Sequence, residues 1–323
     1  MRSSILELLR SAGAEYISGE EIASRLGVSR TAVWKHIREL REAGYDIVSH
    51  SRSGYSLREA PDRLLPNEVQ HGLMTKYIGK KIVYYEEINS TNIEAKKLAA
   101  EGAPEGTVVV SEAQNTGRGR MERGFFSPKG KGIWFSVILR PDFLPQEAPK
   151  CTLLAAVSVA RAMKKFGLKA GIKWPNDILY EGKKLVGILT EMNAEMDRIN
   201  YIVIGTGINV NIMPEDFPED IRRVATSLAI MKGEALPRVQ FFREVLQAME
   251  DLYDLVRTEG FAPVMEEWKQ YTITLGQEVN VIGIRETFSG VAADIDAEGA
   301  LLVDTPEGRR RVLAGDVSIR PKK

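Results

Sequence analysis

Between Gly117 and Gly124 the chain reads Gly-Arg-Gly-Arg-Met-Glu-Arg-Gly, three arginines among three glycines with no apolar run to anchor them in a core. Such a segment is suited to neither a buried helix nor a buried strand, so the fold has to be built around it as an exposed loop. Glycine permits tight turns and close backbone approach, while arginine presents a planar fork of donors matched to carboxylate or phosphate. The loop is therefore expected to close around an anion. Taken alone, it reads equally well as a solvated basic loop.

Other segments narrow the choice. Asn89-Ser90-Thr91-Asn92 and Gln114 precede the loop. Lys173-Trp174-Pro175-Asn176-Asp177 follows it, then Gly182-Lys183-Lys184-Leu185-Val186-Gly187, then Ile204-Gly205-Thr206-Gly207-Ile208-Asn209-Val210-Asn211. In this order and spacing the set closely resembles the biotin protein ligases, over about residues 80 to 323.

The N-terminal segment indicates which kind. Ser4 to Glu7 and Ser18 to Glu21 fit capping boxes, and the second helix is expected to bury Ile22, Ala23 and Leu26 and stop at Gly27. Ser29 is placed to cap a third helix with Val33, Ile37 and Leu40 on its apolar face. Its other face shows Arg30, Thr31, Trp34, Lys35, Arg38 and Arg41, and Gly44 ends it. Ile47 to Leu57 reads as a hairpin turning at Ser51-Arg52-Ser53-Gly54. These are the parts of a winged helix-turn-helix, with Arg30, Thr31, Trp34, Lys35, Arg38 and Arg52 as the DNA-binding residues. A small protein-docking domain with an ordinary charged face is the structural alternative. The ligase family includes bifunctional members, biotin ligases that are also biotin operon repressors, and this chain resembles those.

The expected fold is multidomain α+β: a winged helix-turn-helix over 1–62, a central ligase domain on a mixed or antiparallel sheet over 63–272, and a C-terminal SH3-like β-barrel over 273–323. Prolines 61 and 66 bracket the first boundary. Strands are expected at 82–85, 107–111, 133–139, 172–179, 185–192 and 201–210, and helices at 92–100, 151–166 and 238–271. The tail from 278 to 314 reads as short strands. With 44 basic and 44 acidic residues the net charge is zero, so DNA binding has to come from a local patch. Cys151 is the one cysteine and reads as a buried thiol in an apolar helix. No membrane-length apolar run and no signal-peptide pattern occur, which points to a cytoplasmic enzyme with no membrane partner.

The resemblance implies the chemistry. ATP and Mg2+ activate biotin as biotinyl-5'-AMP, which stays bound, and biotin then passes to a lysine of the biotin carboxyl carrier protein of acetyl-CoA carboxylase. Without an acceptor the adenylate acts as corepressor, and a homodimer binds the biotin operon operator. Lys184, Arg118 and Arg120 are the implied catalytic groups, since a carboxylate attacking a phosphate brings two anions together. Ser90, Thr91, Asn92, Gln114, Arg118, Gly119, Arg120, Lys184 and Gly187 would hold biotin; Phe125, Asn176 and Asn209 the nucleotide; and Asp177 the Mg2+ on its phosphates. Ser90 and Thr91 read equally as a helix cap, Lys183-Lys184 as a solvated turn, and Trp174 as core. Met121 and Glu122 depart from the family's more basic loop and put a negative charge there. A ligase with a silent N-terminal domain, a biotinyl-adenylate sensor without ligase activity, and a lipoate-type ligase are the other readings.

Overall fold

The computed structural model describes residues 1–120, 124–169, 171–283, 286–314 and 317–321. It divides into two compact units, Met1–Arg63 and Leu64–Lys323.

The first unit holds α1 (Arg2–Ser11), α2 (Gly19–Leu26), α3 (Arg30–Glu42) and the hairpin β1 (Asp46–His50) and β2 (Gly54–Glu59). Ser18 and Ser29 cap α2 and α3 by accepting from Glu21 N at 3.0 Å and Ala32 N at 3.2 Å. Gly27 ends α2 in the left-handed conformation. Ile5, Leu6 and Leu9 of α1 meet Ile22, Val33, Ile37 and Leu40 in the core. The expected capping box at Ser4 does not form: α1 starts at Arg2 with Met1 as its cap residue and no side-chain cap bond. Ser4 is already helical, and the buried stripe from Ile5 holds the first turn without it. Leu26 is only half-buried. Arg41 is not a free surface cation, because its Nε donates to Ile47 O at 2.7 Å and ties α3 to β1.

In the second unit a seven-stranded sheet runs β3 (Ile82–Tyr85), β4 (Val108–Ser111), β5 (Gly132–Leu139), β9 (Arg198–Asn209), β8 (Lys183–Glu195), β7 (Asp177–Tyr180) and β6 (Gly171–Lys173). Only β3 and β4 are parallel, so the sheet is mixed. One face carries α6 (Lys150–Lys165), α8 (Arg238–Glu259) and α9 (Ala262–Tyr271) over the main core; Ala95 and Ala99 of α5 (Thr91–Ala100) join a smaller cluster with Val109, Ile138 and Val203. Short helices α4 (Pro66–Gln70) and α7 (Leu228–Lys232) escape the periodicity argument, because five residues are too few to show a stripe.

Two elements expected as continuous are broken. The strand over 172–179 divides into β6 and β7 at Trp174-Pro175-Asn176, where the proline peptide is cis and Pro175 has no N–H for the ladder. The helix over 238–271 ends at Glu259 because Gly260 takes a positive φ, and α9 restarts beyond Phe261. The tail forms a five-stranded antiparallel sheet in the order β13 (Gly308–Val312), β12 (Leu301–Thr305), β11 (Thr287–Ile295), β10 (Glu278–Gly283), β14 (Val317–Pro321). Cys151 is fully buried, and burial pushes its thiol up to about 12, which removes it as a nucleophile at neutral pH.

Candidate active site and DNA-facing helix

Gly187 on β8 and Gly207 on β9 are register partners, and Gly205 lies two residues before Gly207 on the same face of β9. Their missing side chains leave a bare floor in the sheet, the use of glycine within strands that marks close approach by another group. Over that floor lie Ser90, Thr91 and Asn92 from the start of α5, then Gln114, Arg118 and Gly119, with Phe125, Asn176 and Lys184 closing the pocket. Ten of the residues expected to bind substrate thus meet in one place. The free volume there is only about 30 Å3. A Cβ on Gly187 or Gly207 would stand 2.7 or 2.6 Å from the Phe125 ring, so that ring rests against the floor where the two side chains are missing.

One end of the pocket is a polar network. Gln114 Oε1 accepts from Thr91 N at 2.9 Å and Thr91 Oγ1 at 3.2 Å, and Gln114 Nε2 donates to Ser127 Oγ at 3.0 Å. Ser136 Oγ, fully buried on β5, lies 2.9 Å from Thr91 Oγ1 and 2.6 Å from Asn92 Oδ1. Asn92 Nδ2 donates to Leu189 O and to Glu191, which also pairs with Lys96 at 2.5 Å. Ser90 takes the N-cap position of α5, yet its hydroxyl makes no cap bond, so the capping alternative fails for that oxygen. Ser127, Ser136 and Glu191 escaped the sequence reading. The one signal for Ser136 was a hydroxyl inside the apolar run Ile133 to Leu139.

The other end carries charge. Lys184 Nζ lies 2.7 Å from Asp177 Oδ1 and 5.6 Å from the centre of the Phe125 ring. Its backbone is pinned on both sides, N–H to Val224 O at 2.7 Å and C=O from Thr226 N at 2.9 Å, whereas Lys183 is exposed. Arg120 does not line this pocket: its guanidinium donates to Asn176 Oδ1 at 3.1 Å and to Ala314 O. Asn209 lies beneath, donating to Thr226 O at 2.9 Å, with its buried Oδ1 unpartnered. Trp174 is core, with its Nε1 on Gly299 O. Met121, Glu122 and Arg123 lie outside the described residues. Gly117 is required where it stands, because a Cβ would fall 2.4 Å from Phe125 O at the neck of the loop. Among the described residues no group of three or more His, Cys, Asp or Glu could hold a metal. The single carboxylate of Asp177 suits an ion that arrives on phosphates and keeps its waters.

In the first unit Arg30, Thr31, Trp34, Lys35 and Arg38 are all exposed on α3, and Arg52 is at the tip of the β1–β2 turn. Arg38 stacks 5.2 Å from the Trp34 ring and reaches Glu42 at 3.6 Å, and Arg30 lies 3.9 Å from Glu20. Exposed pairs of this kind are worth little.

A small-residue floor, a hydroxyl and amide end, and a lysine–carboxylate end thus meet in one pocket. The Biotin/lipoate A/B protein ligase family model matches residues 84–209, an HTH domain model 2–56, and the Biotin protein ligase C terminal domain model 274–320. The Bifunctional ligase/repressor BirA of Bacillus subtilis is 44% identical over 99% of this chain and 98% of its own length, and that of Escherichia coli 32% identical over 96% and 94%. The structure of the biotin protein ligase from Aquifex aeolicus in complex with biotin and ATP superposes with a TM-score of 0.66 at 28% identity, covering 75% of this chain and all of the other. The chain belongs to the bifunctional biotin ligase/repressors.

Proposed function

We propose that the protein joins biotin to a lysine of the biotin carboxyl carrier protein of acetyl-CoA carboxylase through biotinyl-5'-AMP, and represses biotin biosynthesis as an adenylate-bound homodimer on operator DNA. The observation that carries the first half is the Lys184–Asp177 pair at one end of the glycine floor with Ser90, Thr91 and Gln114 at the other. A biotin spanning the floor puts its ureido ring, with two N–H donors and one acceptor, among the hydroxyls, and its carboxylate at Lys184. Asn92 and Gly119 shape the walls and Gly187 the floor. Lys184 then exchanges Asp177 for the carboxylate and the α-phosphate, and lowers the repulsion between them. Mg2+ held at Asp177 would supply countercharge to the phosphates. Arg118 and Arg120 close over biotin and the phosphate and exclude water from the adenylate. Asn176 presents Arg120, and Asn209 Oδ1, a buried acceptor without a protein partner, receives the adenine amine beside Phe125.

The boundaries we assign are 1–62, 63–272 and 273–323, the last as an SH3-like module. Dimerisation through the central sheets gives two α3 helices for two symmetry-related half-sites. ATP and the carrier place the reaction in the cytoplasm, and no helix among the described residues is long and apolar enough to cross a membrane.

Transfer of labelled biotin to an apo carrier domain, together with biotin- and ATP-dependent retardation of biotin operon DNA, tests both halves. Transfer of lipoate in place of biotin would overturn the first, and transfer without DNA binding the second. Lys35→Ala and Arg52→Ala are expected each to weaken operator binding and to lower the slope of log K against log salt by about one per lost phosphate contact. An unchanged slope places α3 elsewhere than on DNA. Gly205→Ala would set a Cβ 1.9 Å from Asn92 Oδ1 and push the α5 start off the pocket. Biotin affinity, read by calorimetry, is expected to fall about a hundredfold, the cost of a displacement near 1 Å; unchanged affinity would mean that Asn92 does not shape the site.

A further inference from the structure

Neither Ser136 nor Glu191 lines the glycine-floored pocket, yet together they set the direction of the hydrogen bonds at its polar end. That direction follows from groups that only donate or only accept. Thr91 N–H only donates, so the Gln114 atom 2.9 Å from it is Oε1. Gln114 Nε2 is left to donate to Ser127 Oγ, whose own proton goes to Phe125 O at 3.0 Å. On the other side the Asn92 amide nitrogen faces two acceptors, Leu189 O at 3.2 Å and Glu191 Oε2 at 2.8 Å, which turns Asn92 Oδ1 toward Ser136. Lys96 holds the second oxygen of Glu191. The single proton of Ser136 therefore goes to Asn92 Oδ1 at 2.6 Å, and Ser136 Oγ is left to accept from Thr91 at 2.9 Å. Ser136 Oγ and Gln114 Oε1, the latter 3.2 Å away, both draw the Thr91 proton into the protein. Thr91 is left with lone pairs for the pocket it lines.

We propose that Ser136 and Glu191 are positioning residues that make the Thr91 hydroxyl an acceptor, so that the pocket selects a ligand with an N–H at that point. The proposal rests on the biotin ligase reading and adds what sets its preference for a ureido ring. Ser136 is fully buried, so no solvent replaces its oxygen when it is removed. Asn92 Oδ1 then loses a donor and Thr91 an acceptor, and the Thr91 proton is free to turn into the pocket against the ligand N–H. Without Glu191 the Asn92 amide loses one of the two acceptors that orient it. The ureido ring is remote from the reacting carboxylate and is held alike in the ground and transition states, so the loss falls on KM and spares kcat.

The test compares full-length parent, Ser136→Ala, Glu191→Ala and Glu191→Gln on biotin and on its two cyclic carbamate analogues, each with a ring oxygen in place of one ureido N–H. Adenylate formation is read as pyrophosphate release. The parent is expected to reject one carbamate by about a hundredfold or more relative to biotin, because a ring oxygen there meets the Thr91 lone pair. Both alanine variants are expected to raise KM for biotin about tenfold, with kcat within about threefold of the parent. They are also expected to reduce the rejection of that carbamate by about fivefold or more, because the released Thr91 hydroxyl donates to the ring oxygen. Glu191→Gln keeps an oxygen for Asn92 Nδ2 and is expected to return the biotin KM to within about threefold of the parent. A merely structural defect weakens all three ligands alike, so an unchanged ratio of carbamate to biotin overturns the proposal. So does a biotin KM within twofold of the parent in the alanine variants, or a parent that uses both carbamates as readily as biotin. If Ser136→Ala does not fold, Glu191→Ala, at a side chain 29% exposed, carries the same readouts. A parent that forms no adenylate from biotin would instead overturn the ligase reading, and this proposal with it.

Discussion

Lys184→Ala is expected to lower the rate of biotinyl-adenylate formation by about a hundred- to a thousandfold, the usual loss when one preorganised charge or donor is taken from a developing anion. The argument is positional. Lys184 N–H and C=O are held by Val224 and Thr226, and its ammonium is held at the pocket by Asp177 and the Phe125 ring. The Lys184 backbone is thus fixed before substrate arrives, and only the end of the side chain turns from Asp177 to the substrate. Lys183, one residue earlier, is exposed, and Lys183→Ala is expected to stay within about threefold of the parent, less than the 1.4 kcal/mol that a factor of ten requires. Pyrophosphate release in a single turnover separates the two. Similar rates in both variants would sink the role assigned to Lys184.

Glu112→Ala is expected to destabilise the second unit by about 3–5 kcal/mol, the cost of leaving a buried charge without its partner. Both side chains of the Glu112–Arg238 pair are 2% exposed, at a separation of 2.9 Å. The carboxylate also accepts from Leu64 N at 2.8 Å, and the guanidinium donates to Gly132 O at 2.9 Å. One ion pair therefore ties the first residue of this unit, the end of β4, the start of β5 and the start of α8. Removing both charges as Glu112→Leu with Arg238→Met is expected to recover much of the loss, because no orphan ion remains. Urea unfolding followed by the fluorescence of Trp134, Trp174 and Trp268, all buried in this unit, measures both. A single variant that unfolds at the parental midpoint would show that water reaches the site and the pair is not isolated.

Much of the architecture was legible because it rests on local rules. Ser18, Ser29 and Gly27 mark helix ends by hydrogen bonds and backbone conformations that need only near neighbours. The stripe Val33, Ile37, Leu40 and the apolar runs of β5 and β9 announce buried faces by their period. Breaks were harder. The strand expected over 172–179 contained its own interruption at Pro175, and the helix expected over 238–271 its own stop at Gly260, both visible as residues and both outweighed by the longer pattern around them.

The candidate site divides in the same way. Gly117, Arg118, Arg120, Asn176, Lys184, Gly187 and Asn209 stand in motifs whose residue types already state a chemistry of anions and close approach. Their arrangement comes from strand pairing between segments far apart in the chain. The register of β8 against β9 sets Gly187 opposite Gly207 and makes the floor, and the packing of α5 against β5 brings Ser136 to Thr91 and Asn92. Arg120 was expected over the phosphate and rests on Asn176 and Ala314, a carbonyl 194 residues along the chain. Sequence by itself determined most of the long elements, their order and the reactive groups that stand in motifs, since these depend on propensity and on local hydrogen bonds. Tertiary structure decided which oxygen is left free and which ring covers the floor, since those depend on long-range register and on the packing of side chains that share no local pattern.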